Sequence, residues 1–236
     1  MLRTLALMMV MPVVLAACDG NGESGVRVGP TVSREFDFAD FDRVEISRAL
    51  VVDISRSDAF RVSIDASENL LDDMLVSRRG NTLTLEFAAP SREGTLEARI
   101  SMPELRALLL TEASRASLSG FRSDGGISIT LSAASSVSGD LTADEVSIEA
   151  SGASRAELTG SAREITIQGS GASQLSMRDF EVEVANVLLS SAASMTLTVR
   201  DEIRTAVLSG DAVLRYYGDP ILGDVDTSAG GRLENR

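Results

Sequence analysis

Few residue types in this sequence can do chemistry. Cys18 is the only cysteine among 236 residues, histidine, lysine and tryptophan are absent, and all 22 basic residues are arginine. Without imidazole, Ser-His-Asp and Cys-His nucleophile systems are excluded, as are the usual zinc sites. One cysteine forms no internal disulfide, so the fold must hold by packing. Carboxylate, guanidinium, hydroxyl and phenol chemistry remain. Asp219, Asp224 and Asp226 gather near the C-terminal end and are the weak candidates for calcium. No loop offers a full ligand set and the glycine- and aspartate-rich calcium repeat is absent, so no metal is expected. Arg115 and Arg155 have the geometry to grip a carboxylate or sulfate bidentately, or simply to solubilise the surface. Tyr217 is a candidate to stack on a sugar ring, whereas Tyr216 falls at an inward position. Asp37, Asp40 and Asp42 are close enough in sequence for paired-carboxylate work, but no aromatic subsites neighbour them. No catalytic residue and no cofactor is expected.

The elements that position these residues begin after an address. Arg3 is followed by an apolar run from Leu5 to Ala17, shorter than the ~20 residues that span a bilayer. A charged start, a short apolar stretch and small residues before a cut make residues 1–17 a signal peptide. Leu15-Ala16-Ala17-Cys18 resembles the lipobox of bacterial lipoproteins. That resemblance implies cleavage before Cys18, lipidation of Cys18, and a membrane partner through the lipid anchor. Asp19 resembles the inner-membrane retention signal of enteric bacteria, a rule that does not extend to all bacteria, so inner versus outer membrane stays open. Residues 18–33 are rich in glycine and polar side chains and read as a flexible tether. Losing Arg3 with the signal peptide takes the formal charge from −13 to −14, which disfavours nucleic acid as a partner.

The strongest feature is self-similarity. Six segments align without gaps, starting at Thr111, Ser132, Ser151, Ser170, Ser190 and Ser209, 19 to 21 residues apart. Each is preceded by alternation, as in Ile127, Ile129 and Leu131, and contains more, as in Leu175 and Met177. Alternation on both sides of a small-residue corner means two short strands per repeat. Such a unit buries its apolar face only by stacking, which predicts an all-β fold: a single-chain β-solenoid of short strands in ~20-residue repeats. An up-and-down antiparallel barrel with regular hairpins is the competing architecture. Residues 34–104 form an N-terminal β region with strands at Val44–Ile46, Val62–Ile64, Leu83–Phe87 and Ile100–Met102, and a short helical turn in the run from Glu68 to Asn81. This region is either irregular coils of the same solenoid or a β cap. Residues 105–236 form the repetitive solenoid, capped by Tyr216-Tyr217-Gly218-Asp219-Pro220 and the final glycine-rich stretch.

Taken in order, Phe38 to Ile46 (FxxFxxVxI), Met102 to Leu105 (MPEL), the serial Ser-Gly-Ala-Ser corners and the closing Tyr216 to Pro220 resemble the family of putative auto-transporter adhesins with a head-GIN domain. The resemblance covers nearly the whole mature chain and implies a secreted or surface-attached β-solenoid. The corners at Ser132-Ala133-Ala134-Ser135 and Ser190-Ser191-Ala192-Ala193 depart from the family's preferred glycine, which puts their turn geometry in question. Outward strand positions carry Ser128, Thr130, Ser147, Glu149, Thr166 and Gln168, a polar face suited to a polysaccharide or an envelope protein. The expected function is a lipid-anchored, non-catalytic cell-envelope binding protein, an adhesin for a surface or glycan. The alternatives are a scaffolding lipoprotein that binds other envelope proteins and, third, a polysaccharide lyase or glycosidase.

Overall fold

The computed structural model describes residues 30–88 and 96–236. It is 70% strand and 2% helix, wound as a β-solenoid of about seven turns. The repetitive part is built from β8 (Ala107–Leu110), β9 (Arg115–Leu131), β10 (Ser136–Ala150), β11 (Arg155–Gly169), β12 (Gln174–Leu189) and β13 (Ser194–Leu208), then β14 (Val213–Tyr217), β15 (Ile221–Thr227) and β16 (Arg232–Asn235). All neighbouring pairs in this part are parallel. Parallel pairing of consecutive turns excludes the up-and-down barrel.

Each long strand serves two faces. The first residues of β9 pair with β3 (Val51–Arg56), while its last residues pair with β8. The two short strands expected per repeat therefore run as one element, because the bend between them keeps its pairing. Gly139, at φ +130°, makes such a bend opposite Leu118, where a methyl group would strike the Leu118 carbonyl oxygen. Along each strand buried residues alternate with exposed ones, as in Ile165, Ile167 and Gly169 of β11. The buried set fills the space between the faces.

The corners fall where the six aligned segments place them. Arg115, Ser136 and Arg155 share a ladder with Gln174, Ser194, Val213 and Arg232, the register of the gapless alignment. The corners lacking glycine stay left-handed, through one residue at Ser191 (φ 61°), as in the glycine corners, and through two in a row at Glu112-Ala113 and at Ala133-Ala134 (φ 50° and 64°). Stacking enforces the conformation, at a cost of about 1–2 kcal/mol per non-glycine residue. Ser114, Ser135, Ser154 and Ser173 close four successive corners and are all buried. Two further corners, Arg48-Ala49 and Ala229-Gly230, repeat the paired left-handed geometry; arginine in the first disguises its kinship.

The N-terminal region contains both parallel coils and a reversed coil. β2 (Arg43–Ser47) and β3 form a parallel coil under β8 and β9. β6 (Thr82–Phe87) and β7 (Leu96–Met102) form a second parallel coil outside it. Beyond lies a reversed coil, β4 (Arg61–Ser67) and β5 (Met74–Arg79), antiparallel to its neighbours and joined by the four-residue helix α1 (Glu68–Leu71). β1 (Thr31–Phe36) adds a last antiparallel strand on β4. This end is closed: Val62, Ile64 and Ala66 are fully buried. The C-terminal stretch, expected to cap the other end, instead forms another coil. Its inward Leu222 and Val225 are 45% and 40% exposed, with no further coil over them among the described residues.

Candidate functional site

Parallel stacking brings equivalent outward side chains into ladders about 4.8 Å apart. On the face formed by β8 and the C-terminal halves of the long strands, one ladder runs Ala107, Ser128, Ser147, Thr166 and Asn186. Beside it run Gly126, Glu145 and Glu164. Between the ladders lies an open groove of about 470 Å³ crossing three turns, bordered by Arg106, Ser128, Glu145, Ser147, Glu164 and Thr166. Its floor is Ile127 and Val146, and Gly126 widens one end by having no side chain.

Ion pairs hold the walls. Glu164 accepts hydrogen bonds from Asn186 Nδ2 at 2.8 Å and Arg204 Nη1 at 2.7 Å. Arg163 reaches Asp144 through Nε at 2.8 Å and Nη2 at 3.2 Å, and Glu145 at 3.1 Å. The Arg163 hydrogen bond holds the Asp144 carboxyl below its ordinary range. Arg106 pairs with Glu104 at 3.0 Å and Asp42 at 3.4 Å. The groove thus presents fixed carboxylates, one guanidinium and a row of hydroxyls. These groups match the donors and acceptors of sugar hydroxyls.

Residues 40–220 match the family described as "Putative auto-transporter adhesin, head GIN domain". The chain belongs to this family. No curated protein matches it. Solved structures share the head-GIN chain's fold at low identity. A putative adhesin from Bacteroides fragilis superposes with a TM-score of 0.78 at 16% identity, covering 88% of this chain and 97% of that one. A putative lipid binding protein from Parabacteroides distasonis gives 0.63 at 16% identity, with 88% and 97% covered. A putative adhesin from the same species gives 0.61 at 15%, with 88% and 98% covered.

In this head-GIN chain the sequence-predicted residues are dispersed. Ser128, Ser147 and Thr166 converge on the groove, while Thr130, Glu149 and Gln168 occupy the next outward ladder. Arg115 and Arg155 share a ladder on the opposite face. Tyr217 is half-buried, with the Arg178 guanidinium 4.7 Å above its ring, and Tyr216 lies in the core. Asp224 and Asp226 lie opposite Thr205 and Val207 on β15. Among the described residues no three His, Cys, Asp or Glu side chains form a metal-ligand group. Asp40, Asp42 and Glu104 border a separate cleft of about 220 Å³ together with Phe41 and Phe60. These aromatics, unforeseen from the sequence, pack on each other at 4.9 Å. Asp42 there accepts a 2.6 Å hydrogen bond from Asn81. Cys18 and the expected signal peptide lie outside the described residues, among which no helix is long and apolar enough to cross a membrane. Sequence reasoning missed Arg106, Gly126, Glu145 and Glu164. The two glutamates stand 19 residues apart, one repeat spacing, just beyond the aligned segments, a signal that was available.

Proposed function

We propose that the chain is a lipid-anchored, non-catalytic cell-envelope protein of adhesin type that recognises a polysaccharide through the three-turn groove. The observation that supports this reading is the groove itself: hydroxyls of Ser128, Ser147 and Thr166 in register beside the braced Glu145 and Glu164. A repeating ligand would meet repeating donors along the solenoid axis, and the tether would hold the domain away from the membrane at Cys18. The test is a glycan array probed with the chain from residue 18 onward carrying Cys18→Ser, beside a Ser147→Arg variant that fills the groove. Saturable binding to one sugar class, weakened at least tenfold by Ser147→Arg at unchanged melting temperature, supports the reading; tenfold is about 1.4 kcal/mol of binding. A folded domain that binds no glycan, yet co-purifies with specific envelope proteins, would replace it with the scaffolding role. Fatty-acid labelling that persists in full-length Cys18→Ser would remove the anchor.

A further inference from the structure

The opposite face carries a second groove of about 330 Å³, built from β3 and the N-terminal halves of β9, β10 and β11. Arg115, Ser136 and Arg155 occupy successive rungs of one outward ladder. The two arginine positions are therefore two strand spacings, about 9.6 Å, apart with a serine between them. The adjoining ladder carries Asp53, Ser117, Ser138 and Glu157. At one end Val51 stands 44% exposed.

Among the described residues Arg115, Arg155, Arg122, Arg178, Arg200 and Arg232 form no ion pair, and the first two line this one groove. Arg34, Arg43, Arg48, Arg56, Arg99, Arg106, Arg163, Arg204, Arg215 and Arg236 all pair with carboxylates. Arg115 has no ion pair among the described residues, although the chain carries 35 acidic residues against 22 basic ones. Arg155 donates only to the neutral Gln174 Oε1, at 2.6 Å. The nearby Asp53 carboxylate forms no ion pair with either arginine and accepts a hydrogen bond from the Ser117 hydroxyl through one oxygen, leaving the other as an acceptor. Two guanidiniums facing one groove thus keep their charge for an external anion, while serines and carboxylates around them offer partners for hydroxyl groups.

We propose that this groove binds an acidic saccharide, a sugar bearing a carboxylate or sulfate. Its charge sits between Arg115 and Arg155, where each fork can donate two parallel hydrogen bonds. Its hydroxyls meet Ser117, Ser136 and Ser138, with Asp53 and Glu157 as acceptors, and a C–H face rests on Val51. The site is independent of the groove on the other face. The chain's net charge of −13 opposes indiscriminate polyanion binding, so acidic ligands held here are held locally.

Calorimetry would use the chain from residue 18 with Cys18→Ser, since all described elements lie within residues 30–236. The probes are oligogalacturonate for the carboxylate, a heparin oligosaccharide for the sulfate, and a maltooligosaccharide as the neutral control. One acidic probe binds saturably and at least tenfold more tightly than the neutral one. Arg115→Ala and Arg155→Ala, both at exposed positions, each weaken it at least tenfold, and Lys at either position restores only part, because a point charge lacks the fork. Ser147→Arg on the other face leaves this binding unchanged even if it abolishes neutral-glycan binding. The proposal is overturned if neither acidic probe binds the folded protein, if the neutral probe binds equally, or if Ser147→Arg abolishes acidic binding. Equal weakening by Arg61→Ala or Arg122→Ala, exposed arginines outside this groove, would overturn it as non-specific attraction.

Discussion

The buried corner serine shows what one hydroxyl does in a stacked fold. Ser154 Oγ donates to the Ser151 carbonyl at 2.7 Å, and Ser114 Oγ to that of Thr111 at 2.6 Å. Ser135 accepts from Ser132 N–H at 3.1 Å and donates to the Leu110 carbonyl at 3.0 Å. Each side chain ties its own corner or the corner beneath. Ser173 occupies the same position, but its buried Oγ has no partner among the described residues, and the next two corners carry alanine there, Ala193 and Ala212. A buried hydroxyl stabilises only when bonded. Ser154→Ala is therefore expected to cost about 1 kcal/mol in denaturant unfolding, while Ser173→Ala is neutral or stabilising. Equal losses would show that the serines act through size alone. Serine at the corners was legible in the sequence. Which hydroxyl is bonded was not, since that depends on tenths of an ångström between turns.

At the scale of elements, much of the fold could be read because a solenoid turns sequence periodicity directly into spatial register. Arg115, Ser136 and Arg155 were aligned by counting and are aligned in space. The same counting failed for β2 and β3, because the chain leaves that coil to build the reversed coil and the outer coil before returning at β8. Their partners lie far along the sequence and share no motif. It failed too for the groove, whose shape arises between ladders: Gly126, Glu145 and Glu164 come from three turns. The bends between strand halves were equally silent, although they are the least replaceable points. Gly139 combines a left-handed φ with a Cβ direction that runs into the Leu118 backbone of the turn below. Gly139→Ala is expected to destabilise by ~2–4 kcal/mol, from backbone strain and overpacking together. A melting temperature within a degree of the parent would mean the bend can relax without breaking its rung.

For the whole molecule, the absence of histidine makes acid the only mild route to unfolding. Three partly exposed carboxyls are held below their ordinary values: Asp65 by the Ser33 hydroxyl and then Arg99, Asp144 by Arg163, and Glu234 by Arg236 with help from Arg215. A depressed folded-state pKa adds stability above the unfolded value, near 3.8 for aspartate, and that stability is lost as pH falls through the folded value. Arg163, raised by Asp144, contributes below its unfolded value and fails only in strong alkali. These pairs are exposed and screened, so each is weak alone. Their loss coincides with a larger change: once the carboxylates protonate, the arginines stand unopposed and the chain repels itself. The melting temperature should therefore be level from about pH 5 to 8, where no histidine titrates, and fall below about pH 4. Arg163→Gln releases Asp144 to protonate at higher pH, moving the start of that fall upward while leaving the plateau shape intact. A step within the neutral range, or an acid limb untouched by Arg163→Gln, would show that groups other than these pairs govern the stack.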